Sequence, residues 1–134
     1  MSQQSDRLKR RLQAIPVAVK AAVVPALITS GRDLSMTMRL LAPVDSGDLR
    51  DSIHITLPGE TTPPYSQPGG STTAGENQVI VTVGNSDVRY PHIVEFGSAD
   101  TAAQPFFWPS VRLKRKALTN RIKRAIRKAV RDAR

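Results

Sequence analysis

Few groups in this chain have the type and spacing to do chemistry. It carries two histidines, His54 and His92, and no cysteine. His92 and Glu95 stand three apart, which places both on one helix face, a spacing used by metal ligands and by acid–base pairs. A metal site needs three or four ligands, and no further His or Cys cluster is present to complete one. No nucleophile is set beside a base in a recognisable motif. These residues therefore predict no catalytic residue, no cofactor and no metal, and His54 is expected on the open face of a sheet.

Charge is the stronger signal. Twenty Lys and Arg against eleven Asp and Glu give a net charge of +9, which points to an acidic partner: nucleic acid, an acidic protein surface or anionic lipid. The excess is concentrated at the end of the chain, where Arg112, Lys114, Arg115, Lys116, Arg121, Lys123, Arg124, Arg127, Lys128, Arg131 and Arg134 face one acid, Asp132. A smaller cluster lies at Arg7, Lys9, Arg10 and Arg11. Without cysteine there are no disulfides, which fits a reducing cytoplasm. No apolar run approaches the ~18 residues of a membrane helix, and the first residues lack the basic start and apolar core of a signal peptide. A soluble, unsecreted protein is expected.

The elements that must position these residues follow from periodicity. The 134 residues are expected to form one domain, 1–134. Leu8, Leu12, Ile15, Val19, Val23, Leu27, Leu34, Met38 and Leu41 recur in steps of three, four or seven, which is one helix face. The region 5–42 is therefore helical, with Pro16 dividing it into a short and a long segment and Pro25, off the apolar face, kinking it. Pro43 ends it by disfavouring the α conformation at Ala42. Asp45, Gly47 and Asp48 then make a turn with a weak capping box and one helical turn over 46–50. From Ser52 the period becomes two, with Ile53, Ile55 and Leu57 on one face and Ser52, His54 and Thr56 on the other. This strand and Asn77–Gly84 form an antiparallel hairpin over 52–84, interrupted by a Pro/Gly/Ser/Thr-rich loop at 58–76. The loop is a binding arm or a disordered segment, and Tyr65 is its candidate partner-docking residue. Pro91 opens a short helix over 90–97, which Gly97 closes in the left-handed conformation, with Ile93, Val94 and Phe96 facing inward. Gln104–Pro109 is expected to form an aromatic knot on the core, and a basic helix spans 109–133. The fold class is α+β: a long N-terminal helix and a basic C-terminal helix packed on a small antiparallel sheet with a long hairpin loop.

Three stretches carry a more specific signal: Leu41–Ile53, with Pro43, Asp45, Gly47, Leu49 and Arg50; Tyr90–Gly97, with Glu95, Phe96 and Gly97; and Gln104–Pro109, with Pro105 and Phe106. In this order and spacing the chain resembles the tail-completion, or neck, protein family of long-tailed bacteriophages, prophages and gene transfer agents. Pro91 stands where that pattern has a small residue, and the 58–76 loop is long. The resemblance implies a structural virion subunit of the neck or tail, assembled in the host bacterial cytoplasm. It implies a homo-oligomer, a hexameric ring, that joins the DNA-filled head to the tail. The adjoining partners would be head-connector and tail-tube or terminator proteins, with no membrane contact and no enzyme activity. A tail terminator is a small α+β ring subunit too, so fold alone does not choose between them. Glu95 is expected to pair with a cation, Arg50 first, because both lie in motifs flanking the sheet.

The basic helix has three competing explanations. It is a solvated face; or Arg112, Lys114, Arg115, Lys116, Arg121, Lys123, Arg124, Arg127 and Lys128 contact packaged DNA through its phosphates; or they meet an acidic surface on an adjoining protein. The alternative from another class is a small cytoplasmic DNA-binding protein. Against it, the sequence has no helix-turn-helix or zinc-finger pattern, and Phe107 and Trp108 sit outside the basic run.

Overall fold

A computed structural model describes residues 3–44, 47–69 and 71–132, and the side chains of 6–7, 17–44, 47–69 and 71–132. The elements run α1 (Gln3–Leu41), α2 (Asp48–Asp51), β1 (His54–Thr56), β2 (Ile80–Thr82), α3 (Pro91–Phe96) and α4 (Phe107–Asp132). This is the expected α+β arrangement, with two long helices and a two-stranded antiparallel sheet.

α1 is one helix where two segments were expected. Pro16 removes only its own N–H from the ladder, and the helical hydrogen bonds resume beyond it. Pro25 is exposed, as its position off the apolar stripe requires. On the stripe Val23 and Met38 are buried, whereas Leu41, at the helix end, is 44% exposed. The side chains of Leu8, Leu12 and Ile15 lie outside the described residues, as does all of Asp45, so its expected capping role does too. The turn after Pro43 passes through Gly47 at φ 89° into the four-residue α2.

In the sheet His54 pairs with Thr82, Ile55 with Val81 and Thr56 with Ile80. Opposed residues share a face and alternate residues do not. One face therefore carries Ile55 and Val81 toward α1, where Gly31 lets Ile55 and Val79 approach the helix backbone. The other carries His54, Thr56, Ile80 and Thr82. His54 is exposed, but Thr56 and Thr82 are buried, so this face is only partly open.

The 58–76 loop is neither a free arm nor a structureless connection. Its two limbs pair with each other: Gly59 N–H donates to Ala74 C=O, Ala74 N–H to Glu60 C=O and Thr62 N–H to Thr72 C=O, at 2.8–2.9 Å. The tip then turns back on the sheet, where Gln67 and Val83 exchange both backbone hydrogen bonds. Tyr65 does not reach outward alone, because the Arg89 guanidinium lies 3.7 Å from the centre of its ring, a cation–π contact that ties the loop tip to the segment before α3.

The core comprises Met38, Ala42, Leu49, Ile53, Val83, Val88, Phe106 and Phe107, drawn from α1, α2, the ends of the strands, the segment before α3 and the start of α4, with Val94 of α3 packed against it. α4 runs back along α1 in the largest contact between elements. Arg121 reaches Ser30 and Asp33, and Lys114 reaches Asp33.

Candidate functional site

α4 begins at Phe107, two residues before the expected Pro109, and the reason lies in Glu95. A helix start leaves its first amides without intrahelical acceptors, and the stretch before α4 offers no Ser, Thr, Asp or Asn to cap it locally. Glu95 supplies the acceptor from α3. Its Oε1 takes the N–H groups of Phe106 and Phe107, both at 2.8 Å, and its Oε2 takes that of Trp108 at 3.1 Å. Pro109 has no N–H, and Ser110 N–H donates to Phe106 C=O as the first bond of the helix. Every donor of the opening turn is thus accounted for by one carboxylate, itself 6% exposed. The negative charge also sits at the positive end of the helix dipole.

This arrangement corrects the expected partner of Glu95. It does not pair with Arg50, whose side chain is exposed and forms no ion pair among the described residues. Nor is it free to share a ligand or a proton with His92, because both its oxygens are committed to amides. Among the described residues no three His, Cys, Asp or Glu side chains gather in a group that could hold a metal.

The three motif stretches meet in space. A groove of about 250 Å³ is lined by Pro43, Gly47 and Leu49 from the first, Tyr90 and Val94 from the second and Gln104 from the third. Gln104 N–H donates to Val94 C=O at 2.7 Å. Gly97 closes α3 at φ 78°, as a glycine-only position should, but ψ is 176°, so it leaves in the extended glycine region and not in the left-handed helical one expected. A Cβ there would lie 3.0 Å from Ala103 N and Thr101 O. Pro105 is exposed, and Phe106 is fully buried.

Of the expected aromatic knot, Phe106 and Phe107 belong to the core, and Trp108 is 39% exposed, edge-on to Phe107 at 5.0 Å between ring centroids. Phe96, expected inward, is 70% exposed. α3 has six residues, and with Pro91 and Glu95 buried, Phe96 falls on its outer side. Phe96 and Trp108 rim a second groove of about 210 Å³, which also includes Gln67, Pro68, Pro91 and His92. A separate apolar pair lies near the end of α1, where Met36 and Leu40, one turn apart, are 60% and 84% exposed; Val44, three residues past the helix end, is 60% exposed.

The basic residues of α4 divide into two sets. Lys114 and Arg121 face α1: Lys114 Nζ is 3.1 Å from Asp33 Oδ1, and Arg121 Nη2 is 3.3 Å from Asp33 Oδ2. Arg112, Arg115, Lys116, Lys123, Arg124, Arg127, Lys128 and Arg131 are exposed, and among the described residues none of them meets an acid.

Comparison with known families bears on the three-motif assembly. The family model "Bacteriophage HK97-gp10, putative tail-component" matches residues 6–97, which is 92 of the 134 residues. The chain belongs to the HK97-gp10-like family. Its role is accordingly that of a bacteriophage tail component. Neither the curated proteins nor the solved structures compared with the chain gave a match. The HK97-gp10-like segment spans α1, α2, the hairpin and α3 and stops at Gly97, so Gln104–Pro109 and the whole of α4 lie beyond it. No helix among the described residues is long and apolar enough to cross a membrane.

Proposed function

We propose that this chain is a single-domain structural subunit of the phage neck, a non-enzymatic member of a ring that completes the tail and joins it to the DNA-filled head within the virion. The observation that carries this reading is the HK97-gp10-like match across 92 of the 134 residues, taken with the meeting of the three neck-like motifs in one groove. The outer surface supports a role in assembly. Scattered apolar residues are ordinary on any protein, but contiguous exposed ones mark contact surfaces. Here two such patches stand apart in the chain, Met36 with Leu40 at the end of α1 and Phe96 with Trp108 at the α3–α4 junction. Two different patches on one subunit suit a head-to-tail interface, the kind that closes into rings. Head-connector proteins on one side and tail-tube or terminator proteins on the other are the neighbours this position entails.

The test is loss of the gene in the element that encodes the particle, followed by negative-stain electron microscopy of lysates. Filled heads beside unattached tails of normal length are the expected result. Over-long tails would make the subunit a tail terminator, and intact particles that still deliver DNA would overturn both readings.

A further inference from the structure

α4 lies outside the family match, and nothing in the motif assembly accounts for its outer face. We propose that this face is a binding surface for the phosphate backbone of duplex DNA, independent of DNA sequence. Arg112, Lys116, Lys123, Arg127 and Arg131 follow one another at steps of four or seven, so they form a single row along the helix. From Arg112 to Arg131 the row is about 28 Å long at 1.5 Å per residue. Arg124 and Lys128 lie beside it, and all of these side chains are exposed. Lys114 and Arg121, the two cations that Asp33 neutralises, point the other way. The fold thus sorts the positive charge of α4: the two cations facing α1 are paired, and among the described residues the outward row meets no acid.

The chemistry of the row favours DNA over an acidic protein. Protein interfaces centre on aromatic and apolar anchors and are depleted in lysine at their cores. Between Arg112 and Arg131 the outward positions of α4 are Lys, Arg, Thr119, Asn120 and Ala117, with Leu113 near one end, 68% exposed, and Ile126 at the margin, 39% exposed, and no aromatic residue among them. Lys, Arg, Thr and Asn are the side chains that donate to phosphate oxygens. No aromatic residue is interleaved with the row for stacking on unpaired bases, which selects duplex over single strands. The row also lacks a base-reading context, since α4 is packed on α1 along its length instead of projecting as a recognition helix. This inference rests on α4 alone and stands whether the subunit completes or terminates the tail.

The experiment is fluorescence anisotropy of two labelled 20-base-pair duplexes of unrelated sequence with the full chain, across 50–200 mM NaCl. With roughly four phosphates neutralised, log affinity falls against log salt with a slope of about −3 to −5, a loss of roughly 10²–10³-fold over that range, equal for both sequences. Lys116→Gln/Lys123→Gln/Arg127→Gln weakens binding at least tenfold and flattens the slope. Lys20→Gln/Arg32→Gln/Arg50→Gln removes the same charge from exposed sites elsewhere and leaves binding within about threefold. Equal losses in the two triple variants would mean diffuse attraction to a basic protein and would overturn the assignment. So would affinity that differs between the two sequences, or binding to poly-glutamate with no binding to DNA. Circular dichroism of both variants checks that α4 remains helical, and the gene-deletion phenotype, which reports the position in the particle, is unaffected by either result.

Discussion

The carboxylate of Glu95 is the residue on which the α3–α4 junction turns. Three backbone amides converge on it, and hydrogen bonds to an ionised acceptor are stronger than neutral ones, at about 1.5–3 kcal/mol each where a charge is involved. Glu95→Gln keeps the size but replaces one oxygen by an amide nitrogen. A Gln carbonyl can serve Phe106 and Phe107, and the NH₂ then confronts the Trp108 N–H, donor against donor. The expected loss is about 1–3 kcal/mol, read as a fall of several degrees in melting temperature. Glu95→Ala, which orphans all three donors, should lose more than Gln does. Melting of Glu95→Gln within a degree of the parent would mean that the charge contributes nothing to the cap. The presence of an important acid at 95 was legible from the Tyr90–Gly97 motif, but its partner was not, because a cap supplied from eleven residues away has no spacing rule. One clue was available. An amphipathic helix opening on Gln-Pro-Phe-Phe-Trp-Pro has no local cap, so its amides had to find an acceptor elsewhere, and the acids nearby in the chain are Glu95 and Asp100.

At the scale of elements, periodicity located the helix, the hairpin and the second helix because each buries one face, and burial leaves a pattern in sequence. Contacts made by the backbone leave none, which is why the sequence of the 58–76 loop is compatible with both an arm and a disordered segment, whereas the Gln67–Val83 pairing ties it to the sheet. Gly31 illustrates the same limit. By propensity alone, alanine there should strengthen α1 by up to about 1 kcal/mol. A Cβ at this position, however, falls 2.7 Å from Val79 Cγ1 and 3.4 Å from Ile55 Cγ2, both on stiff β-branched side chains. Overpacking of this kind costs about 1–3 kcal/mol, so Gly31→Ala is expected to be destabilising by up to about 2 kcal/mol in urea unfolding, and a stabilised variant would show that the sheet yields to the helix. The clamp between α1 and α4 is weaker by physical type. Asp33 serves both Lys114 and Arg121, but the three side chains are about a quarter to a third exposed, and partly exposed ion pairs are typically worth 0–1 kcal/mol. Asp33→Asn should lose about 0.5–1.5 kcal/mol at low salt, and the difference from the parent should shrink as salt screens the pair. An unchanged difference at 1 M NaCl would assign the effect to packing.

For the whole molecule, the division between surfaces that hold the fold and surfaces that do not is what separates stability from assembly. Met36 and Leu40 face away from the buried Met38, so they contribute little to the isolated chain, and polar replacement at such positions usually stays within ±0.5 kcal/mol. Met36→Lys/Leu40→Lys should therefore melt with the parent. In a particle the same pair would place two ammonium groups in an apolar contact, where an unpaired buried charge is strongly unfavourable. The double variant, supplied in trans to a gene deletion, is thus expected to fold and fail to restore joined particles. Full restoration would exclude the end of α1 from the interface. A variant that unfolds would contradict the exposure of Met36 and Leu40. The helical period already separates this pair from the core stripe, because Leu34, Met38 and Leu41 share a face that Met36 and Leu40 do not. What the period does not show is where the burial stops: Leu41 lies on the stripe, yet at the helix end it is 44% exposed beside Leu40 at 84%.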